Sequence, residues 1–387
     1  MTVTRRSFLH TLGGLALSSL APGARSDTAP DRAAGPSDWC GGGGGSAARP
    51  LFIPSEHGYL GRLALDERPL TLRAAPLPSG VAAGGGLTQG YLARYQGREF
   101  VNPTLVLRPG QRVRIELDNS LDEATIVHWH GLALDTRNDG AGITLAAPGG
   151  RYAYDFEVRN RGALYWYHPH PHGLTAGQAY RGLFGAFEIS DEDEAKLRAT
   201  LDLVPGKREI PLLLQDRRGA DYAASPADQM HGYLGDTVYV NGTACPYLDV
   251  ATRLYRFRVL NASNARTYRL GWRTAAGTPL PFTLIGNDGG LLPAPQTCSE
   301  AFLATAERLD LLLDLSDLAV GDTVLLDTRR FDPMHMEMGA MGHGGATPAA
   351  GATEHAAMQD SGSFPEGTAR TRNCSSVRAV PSGKLPP

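Results

Sequence analysis

Apolar and charged residues alternate along Val113-Arg114-Ile115-Glu116-Leu117-Asp118-Asn119-Ser120, the two-residue period of a strand with one buried and one wet face. The same alternation runs through Tyr255-Arg256-Phe257-Arg258-Val259-Leu260-Asn261-Ala262-Ser263, and both runs close in an asparagine-containing turn. Asn102-Pro103-Thr104 precedes the first and Asn241-Gly242-Thr243 the second. This weak internal repeat predicts two related units, each a small β-sandwich. Further strands are expected at Tyr152 to Val158, Pro211 to Leu214, Arg269 to Trp272 and Leu309 to Leu315. Helical periodicity is scarce. A turn or two is expected near Asp191 to Thr200, where Ser190 could cap an acidic, alanine-containing run linking the units.

Composition agrees with turn-rich β structure: 47 glycines and 27 prolines in 387 residues lie above the average of roughly 7 and 5 per cent. A formal net charge of −3 offers no electrostatic case for nucleic acid. No apolar run long enough to span a bilayer follows the amino terminus, so no membrane span is expected. Thr4-Arg5-Arg6-Ser7-Phe8-Leu9, then apolar Leu12 to Leu20 and small residues around Ala21 to Ala24, has the layout of a twin-arginine export signal over residues 1–24. Residues 25–48, with the run Gly41 to Gly45, read as a flexible leader. A periplasmic or secreted protein is the expectation. Of the four cysteines, Cys40, Cys245, Cys298 and Cys374, Cys245 and Cys298 are the pair expected to bridge if any does, with a plain buried thiol as the alternative.

Five of the eleven histidines fall between His128 and His172, and four form two pairs of one spacing, His128-Trp129-His130 and His168-Pro169-His170. On an extended strand, residues i and i+2 point to one face. Each pair then aims two imidazoles at one spot, and two such strands side by side make a nest of histidines. Imidazole suits copper, zinc, iron and nickel; copper stands highest in the divalent affinity order, so a nest without carboxylates favours copper. Trp129 and Tyr167 are expected on the opposite strand faces, in the core. His172 is a spare imidazole. Farther on, Met334-His335-Met336-Glu337-Met338 and Met341-Gly342-His343 gather thioethers that favour Cu(I), either as a copper-collecting loop or as an inert linker.

His128-Trp129-His130-Gly131 with Trp166-Tyr167-His168-Pro169-His170-Pro171-His172-Gly173 resembles the amino-terminal copper signature of the multicopper oxidases, the laccase-like and bilirubin-oxidase-like enzymes. Phe100-Val101-Asn102-Pro103-Thr104, Gly110-Gln111-Arg112-Val113-Arg114, Ala147-Pro148-Gly149-Gly150 and Arg181-Gly182-Leu183-Phe184-Gly185 resemble the same first domain. Gln215-Asp216-Arg217-Arg218, Val240-Asn241-Gly242, Leu260-Asn261-Ala262-Ser263-Asn264 and Asp288-Gly289-Gly290 resemble the second. The resemblance spans roughly residues 50 to 330. It implies two consecutive cupredoxin-like Greek-key β-sandwich domains, 49–192 and 205–330, followed by a Met/His-rich segment and disordered tail over 331–387. It also implies that His128 is a type 2 copper ligand, and that His130, His168 and His170 are type 3 ligands.

The family pattern continues with a third domain carrying His-Pro-x-His-x-His and His-Cys-His stretches, which hold type 1 copper and the remaining ligands of the oxygen-reducing cluster. After Arg330 this sequence has His335, His343 and His355, with Cys374 and no histidine beside it. Gly367 onward shows neither strand nor helix periodicity and reads as disordered. A truncated or frameshifted reading frame is the expectation. Three functions stay open: an exported oxidoreductase acting on phenols or metal ions, aided by a partner chain or oligomer covering the histidine face; a periplasmic protein that sequesters copper without turnover; and an inactive product that only folds.

Overall fold

The computed structural model describes residues 48–78, 86–142, 144–219, 221–329 and 331, with the backbone of Ser375–Ala379. It is built almost wholly from strands arranged in two sandwiches. In the first, one sheet runs Arg151–Glu157, Arg112–Asn119, Leu70–Pro76, Gln89–Tyr95, Arg98–Val101, Gly58–Tyr59. Its partner runs Arg62–Ala64, Thr104–Leu107, Gly185–Ile189, Ala163–Pro169, Val127–His130. Alternation is realised in Arg112–Asn119, where Val113, Ile115 and Leu117 are buried and pack with Leu72, Tyr91, Trp129 and Phe187 in one core.

The second sandwich repeats the plan in its central strands. Leu70–Pro76 pairs parallel to Arg112–Asn119, as Glu209–Arg217 does to Leu254–Asn261. Arg151–Glu157 flanks the first pair antiparallel, as Arg308–Asp314 flanks the second. In the facing sheets, Thr104–Leu107 lies parallel to Gly185–Ile189, and Pro246–Val250 lies parallel to Ser375–Ala379. The repeat extends to single residues. Asn102 and Asn241 both have φ near +50°; their carboxamide oxygens accept from the backbone N–H groups of Tyr91 and Leu213, at 2.7 and 2.9 Å.

Several expectations need correcting. Ser375–Ala379 is a strand, inserted between Pro246–Val250 and Thr323–Thr328. Its slot offers unpaired backbone donors and acceptors on both sides, so it pairs without side-chain alternation. Arg49–Pro50 pairs with Pro246–Tyr247 of the second sandwich instead of joining the first. The linker helix Glu192–Leu201 is capped by Asp191, whose carboxylate accepts from Glu194 N; Ser190 does not cap it. Cys298 carries a free thiol while Cys245 is disulfide-bonded, so the Cys245–Cys298 bridge is absent. The export signal, most of the leader, the Met/His-rich residues Met334, His335, Met336, Met338, Met341 and His343, and most of the tail lie outside the described residues. No helix among the described residues is long and apolar enough to cross a membrane.

The two sandwiches meet through the outer face of the Ala163–Pro169 sheet. Leu164, Trp166, Phe184 and Ala186 pack there against Leu213, Leu260 and Ala262 of the second unit. This explains why all seven residues of Ala163–Pro169 are buried: one face belongs to the core, the other to the interface.

Beside this apolar contact, Arg62, Arg198, Arg256 and Arg258 interlock with Glu188, Glu194, Glu209 and Asp310. The alternation that marks Arg256 and Arg258 as outward-facing is correct; outward from this sheet means into the interface, where both are at most 1 % exposed.

Candidate metal centre

Val127–His130 is the edge strand of its sheet and pairs antiparallel with Ala163–Pro169, setting His128 opposite His168 and Trp129 opposite Tyr167. The pleat then sorts the residues. Trp129 and Tyr167 point into the first core, 1 % and 0 % exposed, with ring centroids 5.6 Å apart. His128, His130, Trp166 and His168 take the other face. Ligand nitrogens of His128, His130 and His168 all lie within 4.8 Å of one another. His170 follows the strand end; its backbone N–H donates to Ile126 O at 3.2 Å, and its ring stands 5.1 Å from that of His128. It lies outside the three-nitrogen cluster. His172 is exposed.

Ring orientation follows from contacts on the far nitrogens. His128 Nδ1 lies 2.7 Å from Asp139 O and 3.4 Å from Asp139 Oδ1, while His168 Nδ1 lies 2.8 Å from Pro169 O. A nitrogen facing a carbonyl oxygen must carry the proton, which leaves each Nε2 as a lone pair. His168 Nε2 stands 3.3 Å from His130 Nδ1. Two nitrogens each roughly 2.0 Å from one tetrahedral ion would be about that far apart. Trp166 lies against His168 and His130, with centroids 4.2 and 5.4 Å away.

Burial favours the neutral, metal-competent form of these rings. It lowers His168 to about 3, opposed by the Pro169 carbonyl and assisted by the other histidines. It lowers His130 to about 4, assisted by the charge of Arg308 and by His128 and His170. His128 is also lowered by burial, against the opposing pull of Asp139.

Sequence reasoning missed two supports. Asp139 ends the short helix Thr136–Asp139 and is brought to His128 by Gly140. Gly140 has φ +71°, and a β-carbon there would sit 1.9 Å from Val127 O. Arg308 arrives from the second sandwich. An Asp-Gly pair so soon after a histidine strand hints at the first; nothing local signals the second.

The donors suit copper: imidazole nitrogens with no carboxylate among the converging atoms. Residues 91–194 match the family profile described as multicopper oxidase. The multicopper oxidase mco of Staphylococcus haemolyticus is 35 % identical over 237 residues, covering 60 % of this chain and 51 % of that one. The cell division protein FtsP of Xenorhabdus nematophila is 36 % identical over 221 residues, 56 % of this chain and 45 % of that one. The McoA multicopper oxidase of Aquifex aeolicus superposes with a TM-score of 0.70 at 31 % identity, covering 87 % of this chain and 65 % of that one. The chain spans about half the length of the curated relatives it matches. Copper-type histidine geometry, twin cupredoxin-like sandwiches and these likenesses agree in supporting the multicopper oxidase family, whose members bind copper.

Proposed function

We propose that His128, His130, His168 and His170 hold copper as the amino-terminal half of an oxygen-reducing cluster in an exported oxidoreductase. The carrying observation is the convergence of three ring nitrogens within 4.8 Å, with two rings oriented by backbone carbonyls. His128 is read as the type 2 ligand from its place as the first histidine of the His-Trp-His motif. His130 and His168 support the type 3 reading because their nitrogens face each other. Copper held there would supply one-electron redox chemistry between a phenol or metal-ion reductant and dioxygen. The protein favours the neutral form of His128, His130 and His168 by burial, orients the rings with Trp166 and Asp139, and shields His168 from water.

The sequence contains no His-Cys-His, so an electron-accepting type 1 site and the remaining ligands would be supplied from outside these 387 residues. The similarity to FtsP, a relative named for cell division and not for oxidation, favours a second reading, in which the chain holds copper without turnover. Copper titration followed by metal analysis, optical spectroscopy and oxygen uptake separates them. The oxidase reading expects copper bound through the histidines and oxygen uptake only once a partner with type 1 copper is added; uptake by no combination would leave sequestration. A His168→Ala variant that binds as much copper as the parent would overturn both. Export through the twin-arginine leader is part of the proposal; replacing Arg5 and Arg6 with lysine should leave the protein in the cytoplasmic fraction.

A further inference from the structure

The second sandwich carries none of the clustered histidines, yet one of its side chains reaches both strands that do. Arg308 opens the strand Arg308–Asp314 and is 3 % exposed. Its own domain holds the guanidinium: Nη1 meets Asp288 Oδ1 at 2.8 Å and Ala306 O at 3.1 Å, and Nη2 donates to Asp288 O at 3.1 Å. Across the interface, Nε donates to Leu164 O at 3.2 Å, and Cζ stands 5.5 Å from the ring centre of Tyr165. Leu164 shares a strand face with Trp166 and His168. Gly131, next to His130, has φ +91° and packs beneath the same guanidinium. A β-carbon built on it would lie 2.9 Å from Arg308 Nη2 and 2.9 Å from Tyr165 Cδ1.

We infer that Arg308 is a positioning residue through which the second sandwich sets the geometry of His130 and His168. The guanidinium is planar and its donors are fixed relative to one another. Tying two of its corners to Asp288 and Ala306 therefore fixes where the third meets Leu164 and where Gly131 can lie. Two strands of one metal nest are thereby referenced to a single rigid group on the neighbouring domain. Because coupling between two equilibria is reciprocal, copper on the histidines should in turn tighten the contact between the sandwiches.

This inference rests on the copper reading, and the experiment distinguishes failure of either. Cu(II) affinity and the electron paramagnetic resonance spectrum are measured for the parent, His168→Ala, Arg308→Met and Leu213→Ala. Leu213 lies in the same interface and shares the apolar cluster of Leu164 and Trp166, but its side chain offers apolar contact alone and no donor to fix their positions. Arg308→Met keeps the aliphatic stem and removes every donor. It should weaken copper at least tenfold and change the hyperfine splitting. Leu213→Ala should lower the melting point while keeping the parental affinity and spectrum. Should Arg308→Met fail to fold, Arg308→Lys, which keeps the charge and loses the fork, should show the changed spectrum. Parental copper binding and spectrum in the arginine variant, or an equal loss in Leu213→Ala, would overturn the inference. A parent that binds no copper, or a His168→Ala that binds as well as the parent, would overturn the copper reading beneath it.

Discussion

At the scale of single residues, a His-Trp-His and a Tyr-His-Pro-His run divide by parity into a metal face and a core face. Trp129 touches Tyr154, Phe156, Tyr167 and Phe187, so Trp129→Ala removes a fully buried ring and should cost about 3 to 5 kcal/mol. His130→Ala takes a half-buried ring from the rim of a nest. It should leave the metal-free melting point near the parental value while abolishing most of the copper-induced rise. Paired melts with and without copper check this; equal destabilisation of the metal-free protein by both variants would make the histidines structural. The same rings set a pH dependence. His130 and His168 sit at about 4 and about 3 in the fold, against about 6.5 in an unfolded chain. Above pH 6.5 both states are neutral and the contribution is flat. As pH falls from 6.5 towards 4 and then 3, the unfolded state takes up protons that the folded state refuses, and stability drops. Melting points of the metal-free protein should therefore fall over that window, and fall less steeply in His130→Ala. An identical slope in that variant would show that its ring is not held neutral.

At the scale of elements, the strands and the repeat were legible because alternation and asparagine turns are local signals. The sequence marked residues 113–120 and 255–263 as strands closing in asparagine-containing turns, and the structure shows what Asn119 and Asn261 do there. Asn119 accepts from Leu121 N and donates to the carbonyls of Glu123, Ala146 and Ala147; Asn261 accepts from Ser263 N and donates to Arg266 O and Leu303 O. Each is fully buried and stitches its strand end to the loops that follow. Replacing either with alanine strands several buried groups, at about 1 to 3 kcal/mol for each unsatisfied one. Both variants should lose comparable stability in denaturant titrations, and a loss at one site alone would break the structural equivalence of the copies. The strand Ser375–Ala379 was not legible, because its pairing is decided by a vacant slot between two distant strands. The positions of Asp139 and Arg308 were hidden for the same reason: each meets the histidines only after a glycine turn or a domain contact has formed. His128, His130 and His168 were legible because their convergence needs only strand parity and one antiparallel pairing.

At the scale of the whole molecule, the histidine sheet is covered on one side by its own core and on much of the other by the second sandwich, so the site depends on how the domains dock. Docking is specified by the apolar cluster around Trp166 and Leu213 and by the buried arginine–carboxylate network. Glu209 accepts from Arg198 at 2.6 Å and from Arg256 at 3.3 Å, and lies 3.4 Å from Arg258. Burial works to raise its carboxyl, but these three guanidiniums prevail and hold it well below the usual carboxylate range. Such a network need not stabilise the fold relative to an apolar interface, yet removing one partner leaves buried charge uncompensated, at about 3 to 5 kcal/mol. Glu209→Gln should therefore lower stability by roughly that amount. Arg112→Ala, which breaks the half-exposed pair with Asp155, should cost under about 1 kcal/mol. Salt separates the two mechanisms. At about 1 M ionic strength the screening length is near 3 Å, so the surface pair should lose its small contribution while the Glu209→Gln deficit persists. Stability also depends on pH through Glu209: its depressed folded value contributes above the unfolded value near 4.5 and is lost as pH falls below it. Denaturant titrations of the parent and both variants in low and high salt check this, and a Glu209→Gln deficit that disappears in salt would mean that water reaches the network and that it does not fix the docking of the domains.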